Sequence, residues 1–181
     1  MHGRVGRLHD LGGAPRPEAT CSSEDAGSGV DSTSGPAERE DLTANGVGTV
    51  TVTCSATDTR SYRFGYGLGG FLWPVRDAPA DNRGHAGRAY PLVWRPTGAA
   101  GRPVGALSAV TSIRYRPVSC ATFAGGGATV DADAPGHSRL RYLRWTHTYV
   151  FVWKTPRRPG CYALSVALDS GQALEARFRL R

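Results

Sequence analysis

"CYALSVALDSGQALEARFRL", residues 161–180, alternates along nearly its whole length. Tyr162, Leu164, Val166 and Leu168 share one parity; Ala163, Ser165, Ala167 and Asp169 share the other. Successive side chains of a strand point to opposite faces, so this segment has one apolar face and one face of small or polar groups. "DSG" supplies turn chemistry, because Asp169 can bond nearby backbone N–H groups and Gly171 accepts positive φ. Leu174, Ala176, Phe178 and Leu180 then alternate with Glu175, Arg177, Arg179 and Arg181. The stretch predicts a β-hairpin that closes a domain.

Upstream segments have the same character. "VGTVTVTCSATD" groups β-branched residues between turn signals, with Val50, Val52 and Cys54 on one parity. "YRFGYGLGGF" alternates aromatic and small residues and reads as a strand or connector. "RAYPLVWRPTGAAGRPV" and "ALSAVTSIRYRPVSCATF" hold strand-like runs, and "LRYLRWTHTYVFVWKT" holds one or two strands, with Tyr149, Phe151 and Trp153 on one face. His147 falls within that last run and reads as an exposed strand residue. Gly 24 and Pro 12 favour turns over long helices, and no segment has amphipathic helical spacing. The pattern predicts an all-β fold: a sandwich of about seven strands over residues 63–181, a partial repeat over 19–62, and a disordered N-terminus over 1–18.

The 181 residues carry a net charge of +7. Such charge can serve a polyanionic partner. The 21 arginines and single Lys154 are spread along the chain, however, and no zinc finger, helix-turn-helix or RNP-like motif accompanies them, so specific nucleic-acid binding is not expected. No run approaches the ~20 apolar residues of a membrane helix. The N-terminal "MHGRVGRLHDLGGAPRPEA" has no apolar core of a secretion signal, which leads to the expectation that the chain is a fragment of a longer protein.

Cysteines stand at 21, 54, 120 and 161, none in a CxxC pair. An even number of widely spaced cysteines on strand-like segments points to disulfides and an oxidising compartment rather than to zinc. Cys161 begins the penultimate strand and Cys120 ends a strand-like run in the same unit. A Cys120–Cys161 disulfide is therefore predicted, closing a loop of 41 positions; the alternative is two buried free thiols.

No catalytic residue, metal site or cofactor is assigned. G-x-S-x-G is absent, and Gly136, His137 and Ser138 sit in a Gly/Asp loop rather than a nucleophile elbow. The histidines at 2, 9, 85, 137 and 147 lack metal-ligand spacing. "GGG" at 125–127 lacks the G-K-[ST] ending of a phosphate loop, and Glu24, Asp25 and Asp31 lack EF-hand spacing. Among the four tryptophans, Trp94 and Trp153 fall on alternating strands and read as core; Trp73, in the loop before Pro74, reads as the best exposed.

Residues 65–181 resemble the PxKF-type domain found near the C-termini of secreted multidomain bacterial proteins. The resemblance rests on Gly70, Phe71, Pro74 and Val75; on Asn82, Ala86 and Gly87; on Tyr149, Trp153, Lys154 and Thr155; on Gly160 and Cys161; and on Leu168, Asp169, Ser170, Gly171 and Phe178. The family's naming element falls on Pro91-Leu92-Val93-Trp94, where Val93 stands in place of the usual lysine. Upstream, "DAGSGV" and "GTVTVTCSATD" resemble a bacterial Ig-like or HYR-like repeat lacking its first strands. These resemblances imply an Ig-like β-sandwich and a Cys21–Cys54 pair on facing strands. They further imply a non-catalytic extracellular or cell-surface module, monomeric, acting as a spacer or C-terminal cap. Its partners would be other domains of a larger extracellular protein or cell-envelope polymers. The alternative function is binding of carbohydrate or wall polymer through exposed aromatics and arginines, with Trp73, Arg157 and Arg158 as candidates.

Overall fold

The computed structural model describes residues 5–10, 37–55, 58–98, 101–134 and 139–181. Four strands form an N-terminal sheet: β1 (Val5–Asp10), β2 (Ala37–Leu42), β3 (Gly48–Ser55) and β4 (Asp58–Gly65), in the order β1-β4-β3-β2. Val50, Val52 and Phe64 are buried on one face, with Leu42 and Tyr62 packed against them. The alternation of "VTVT" thus places its valines inward as expected. Val5–Asp10 pairs parallel to β4, and the rest of 1–18 lies outside the described residues. The unpaired N–H and C=O groups of an edge strand can template even a polar, glycine-rich segment.

Nine further strands follow: β5 (Gly67–Leu72), β6 (Asp81–Gly84), β7 (Ala89–Thr97), β8 (Val110–Val118), β9 (Val130–Asp131), β10 (Arg141–Leu143), β11 (Thr148–Lys154), β12 (Gly160–Leu168) and β13 (Ala173–Leu180). They form two sheets, β10-β11-β7-β5 and β6-β13-β12-β8-β9. This is the immunoglobulin arrangement: β5, β7, β11 and β10 take the positions of strands A, B, E and D, and β8, β12 and β13 those of C, F and G. The count exceeds the expected seven because short edge strands β6 and β9 extend the second sheet. Leu107–Ala109 forms a 3-10 turn that leads into β8.

The closing hairpin is β12 and β13, and its apolar parity faces the β10-β11-β7-β5 sheet: Leu164, Val166, Leu174, Ala176, Phe178 and Leu180 are all buried. Trp94 stacks on Tyr149 at 5.5 Å between centroids, and Trp153 meets Phe178 edge-on at 4.9 Å. Both tryptophans are fully buried. Burying such rings is the largest apolar contribution a thin sandwich can draw on.

Cys120 and Cys161 are joined, with Cα atoms 5.1 Å apart. The bond does not cross between the sheets. Cys161 pairs in register with Val118 on the neighbouring strand β8, and Cys120 lies just beyond that strand's end. The disulfide therefore pins the long connection after β8 to the outer face of its own sheet. Cys21 lies outside the described residues, and with it the expected Cys21–Cys54 pair.

The first sheet meets the sandwich at the β12–β13 turn. The Asn45 side chain donates to the Asp169 carboxylate at 2.9 Å. The Gln172 amide receives the Tyr66 N–H at 2.6 Å and returns a bond to the Tyr66 carbonyl at 2.9 Å. Val47, from the β2–β3 turn, is completely buried and belongs to the sandwich's core cluster. The opposite end of the sandwich, where β7 begins and β11 and β13 end, is the lower pole.

Candidate functional site

Arg157 and Arg158 lie on the corner between β11 and β12, at that lower pole, and both are exposed. The corner is held from three directions. The Tyr162 hydroxyl donates back to the Arg158 carbonyl at 2.7 Å, the tyrosine corner of immunoglobulin-like sandwiches. Thr155, almost fully buried, donates through both its N–H and its hydroxyl to the Arg88 carbonyl, at 2.9 and 2.7 Å. Gly87 donates its N–H to the Pro156 carbonyl at 2.8 Å. Gly87 has φ +73°, and a Cβ there would lie 3.7 Å from Arg157 Cγ, so the loop passes directly under the arginine stem.

The same loop is tied to the end of β13. Ala86 donates to the Arg181 carbonyl at 2.9 Å, and Arg181 donates to the Gly84 carbonyl at 3.0 Å. The His85 N–H reaches the Tyr90 hydroxyl at 2.8 Å. Between these strands lies an open groove of about 430 Å³, lined by Arg83, Gly84, His85, Tyr90, Arg179 and Arg181. Arg179 is engaged, pairing with Asp81 at 3.1 Å. Arg83, His85, Arg88, Arg157, Arg158 and Arg181 are exposed.

Trp73 is 89 % exposed and flanks this pole: the next residue, Pro74, lines a groove of about 380 Å³ with Arg83, Tyr90 and Phe178. It follows Leu72, which pairs with Val93, and Val93 is four residues from the pole end of β7 at Ala89. Trp73, one residue further on, is therefore level with Leu92, about 10 Å along the strand from that end. Trp145, at 86 % exposed, sits in the turn between β10 and β11. His147 occupies the same turn with φ +53°, rather than a strand, its ring nitrogen 3.2 Å from the Tyr142 hydroxyl. The segment of His137 and Ser138 lies outside the described residues, as does the acidic set Glu24, Asp25 and Asp31.

A second set of arginines lies on the outer face of the β8-β12-β13 sheet, over a floor of Ala163 and Ser165. These guanidinium groups have internal work. Arg114 pairs with Asp131 at 2.8 Å, and Arg116 donates to the Gly125 carbonyl at 2.8 Å. Arg177 and Arg179 cover the Phe123 ring at 5.2 and 5.4 Å, and Arg179 also donates to the Cys120 carbonyl at 3.0 Å. Together with the disulfide they fasten the β8–β9 connection to the sheet.

Buried phenols are the perturbed titratable groups among the described residues. Burial pushes Tyr149 up to about 12, helped by Tyr142 and Asp169. Tyr66 is raised further, by burial first and then by the Asp169 carboxylate. Tyr115 is also raised, chiefly by burial. Each favours the neutral ring, as a core residue should.

Arg83, Arg88 and Arg181 were not singled out from the sequence. The signal was the division of charge. Residues 63–181 carry 17 basic and 6 acidic residues, while residues 1–62 carry 5 basic and 9 acidic ones. The positive charge is therefore not evenly spread, and residues 82–130 contain no carboxylate.

No protein-family model matches the chain, and no curated protein matches it. Solved structures similar to it include tandem immunoglobulin domains and an S-layer protein. A chimeric titin Z1Z2 is 11 % identical with a TM-score of 0.30, over 86 % of this chain and 76 % of that one. Domains 4 and 5 of the S-layer protein SbsC are 7 % identical with a TM-score of 0.30, over 74 % of this chain and 65 % of that one. Extracellular domains 3–5 of Drosophila OTK are 12 % identical with a TM-score of 0.28, over 77 % of this chain and 40 % of that one. The chain thus spans less than two thirds of the SbsC and OTK chains.

Proposed function

We propose that the chain is a non-catalytic structural and interaction module of a secreted or cell-surface bacterial protein: a PxKF-type sandwich behind a partial Ig-like repeat, acting as spacer or C-terminal cap. The observation that carries this reading is the docking of the first sheet on the sandwich. A spacer must transmit position, and this requires that neighbouring units not swivel. The Asn45–Asp169 bond and the buried Val47 fix the first sheet on the turn of the closing hairpin, and the bidentate Gln172–Tyr66 pair anchors the residue that follows β4 to the same turn. Most linked domains lack such a lock and move freely. The Cys120–Cys161 disulfide supports an oxidising compartment.

Small-angle scattering of the full chain tests the reading. The wild type is expected to fit one fixed arrangement of the two units, and an Asn45→Ala/Gln172→Ala variant to require an ensemble. A wild type that already requires the ensemble would remove the spacer role. Purified protein is also expected to give no turnover above blank in esterase, glycosidase, protease and phosphatase panels. Turnover abolished by His137→Ala or Ser138→Ala would overturn the non-catalytic assignment.

A further inference from the structure

We propose that the lower pole is a binding site for an anionic polysaccharide, a sugar chain bearing repeated carboxylate, sulfate or phosphate groups. Three chain segments bring Arg83, Arg88, Arg157, Arg158 and Arg181 to one end of the sandwich, with His85 between them. Within residues 82–89, 154–161 and 178–181 there is no carboxylate side chain. These arginines differ from those over Ala163 and Ser165, which hold the β8–β9 connection in place. Their backbone frame is rigid: the 84–88 loop is bonded to Arg181 on one side and to Pro156 and Thr155 on the other. Planar guanidinium groups on a fixed frame give paired hydrogen bonds to oxyanions with little ordering cost at the backbone.

The surface chemistry selects the polymer class. A protein partner is held mainly by a central cluster of Trp, Tyr and Arg anchors seated in well-packed, desolvated pockets. Of the large exposed apolar side chains, Leu107 and Trp145 lie towards the opposite end, Leu72 and Val130 stand at mid-strand positions, and only Trp73 flanks the groove. Single-stranded nucleic acid needs aromatic faces for its bases. The aromatic ring lining the groove, Tyr90, is half-buried, lies 5.8 Å from Phe178 and has its hydroxyl bound to the His85 N–H. An acidic polysaccharide needs neither feature. Its oxyanions meet the arginines, and its hydroxyls meet the polar rim of the open groove.

Binding of the full chain to polygalacturonate, dextran sulfate, neutral dextran, polyglutamate and single-stranded DNA tests the proposal. Polygalacturonate and dextran sulfate are expected to bind, more weakly as salt rises, and neutral dextran not to bind. The arm that binds more tightly identifies carboxylate or sulfate as the preferred oxyanion. Arg157→Glu/Arg158→Glu is expected to weaken binding about tenfold or more, the loss expected when charge-assisted hydrogen bonds are removed. Arg83→Gln/Arg181→Gln, which leaves the tyrosine corner intact, must lower affinity in the same direction. Arg95→Glu/Arg141→Glu makes the same change in net charge on the other sheet and is expected to leave affinity within about twofold of wild type. Melting temperatures identify any variant that fails to fold. The proposal fails if the Arg95/Arg141 variant loses as much affinity as the Arg157/Arg158 variant. It also fails if DNA or polyglutamate binds as tightly as the acidic sugars, or if neither acidic sugar binds.

Discussion

A single hydroxyl holds much of the lower pole. Tyr162 Oη bonds the Arg158 carbonyl at the corner that carries both exposed arginines. Tyr162→Phe keeps the ring in the core and removes only that bond. Denaturant unfolding is expected to show a loss of about 1 kcal/mol. The buried phenols set a different limit. Tyr149, held at about 12 against 10.0 when unfolded, keeps its proton in the folded state while the unfolded chain releases it. Its contribution is therefore complete below pH 10 and is lost as pH rises towards 12, at about 1.4 kcal/mol for each unit. Tyr66 and Tyr115 act in the same direction. Thermal melts from pH 9 to 12 should decline progressively, and absorbance should show these phenols ionising only as the fold is lost. The burial of Trp94 and Trp153 was legible in the sequence because strand parity assigns a face to each residue. The position of His147 was not, because a positive φ within an otherwise alternating run leaves no trace in residue type.

Alternation identified the long strands of the sandwich, and parity identified their inward faces. The short edge strands escaped it. β6 and β9 have 4 and 2 residues, too few to establish a period, and they exist because a neighbouring strand offers its edge. β1 escaped for the same reason: its pairing is a property of β4 rather than of its own sequence. The disulfide was legible because two cysteines bordered strands of one unit. Its path within one sheet required the register of β8 on β12. Replacing Cys120 and Cys161 with serine releases a loop of 41 positions and is expected to lower stability by about 4 kcal/mol in the chain-entropy account. Equilibrium unfolding measures that loss. Limited proteolysis of the variant should cut first within 119–134, where the side chains of Arg177, Arg179 and Arg116 and a few backbone bonds remain to hold the connection.

At the scale of the whole molecule, the docked units place the sandwich's lower pole at the end remote from the first sheet. The candidate site was only partly legible there. Arg157 and Arg158 stand out as a pair next to prolines, but Arg83, Arg88 and Arg181 join them only through folding. If the junction holds the units together, Gln172→Ala should lower the stability of the sandwich by about 1–3 kcal/mol, the cost of leaving the buried Tyr66 backbone groups unpaired. Chemical denaturation followed by tryptophan fluorescence reports on this unit directly, because its core holds Trp94 and Trp153.

The docking has an electrical consequence. Residues 1–62 carry 5 basic and 9 acidic residues and residues 63–181 carry 17 and 6, and exposed arginines of the second unit gather at its far pole. Fixing the two units end to end gives the protein a permanent dipole along its length. Near an acidic surface such a molecule experiences a torque before it makes contact, and it approaches arginine end first, with the first sheet directed outward. The field falls off over roughly 10 Å at moderate ionic strength, so this alignment operates only in the last nanometre of approach.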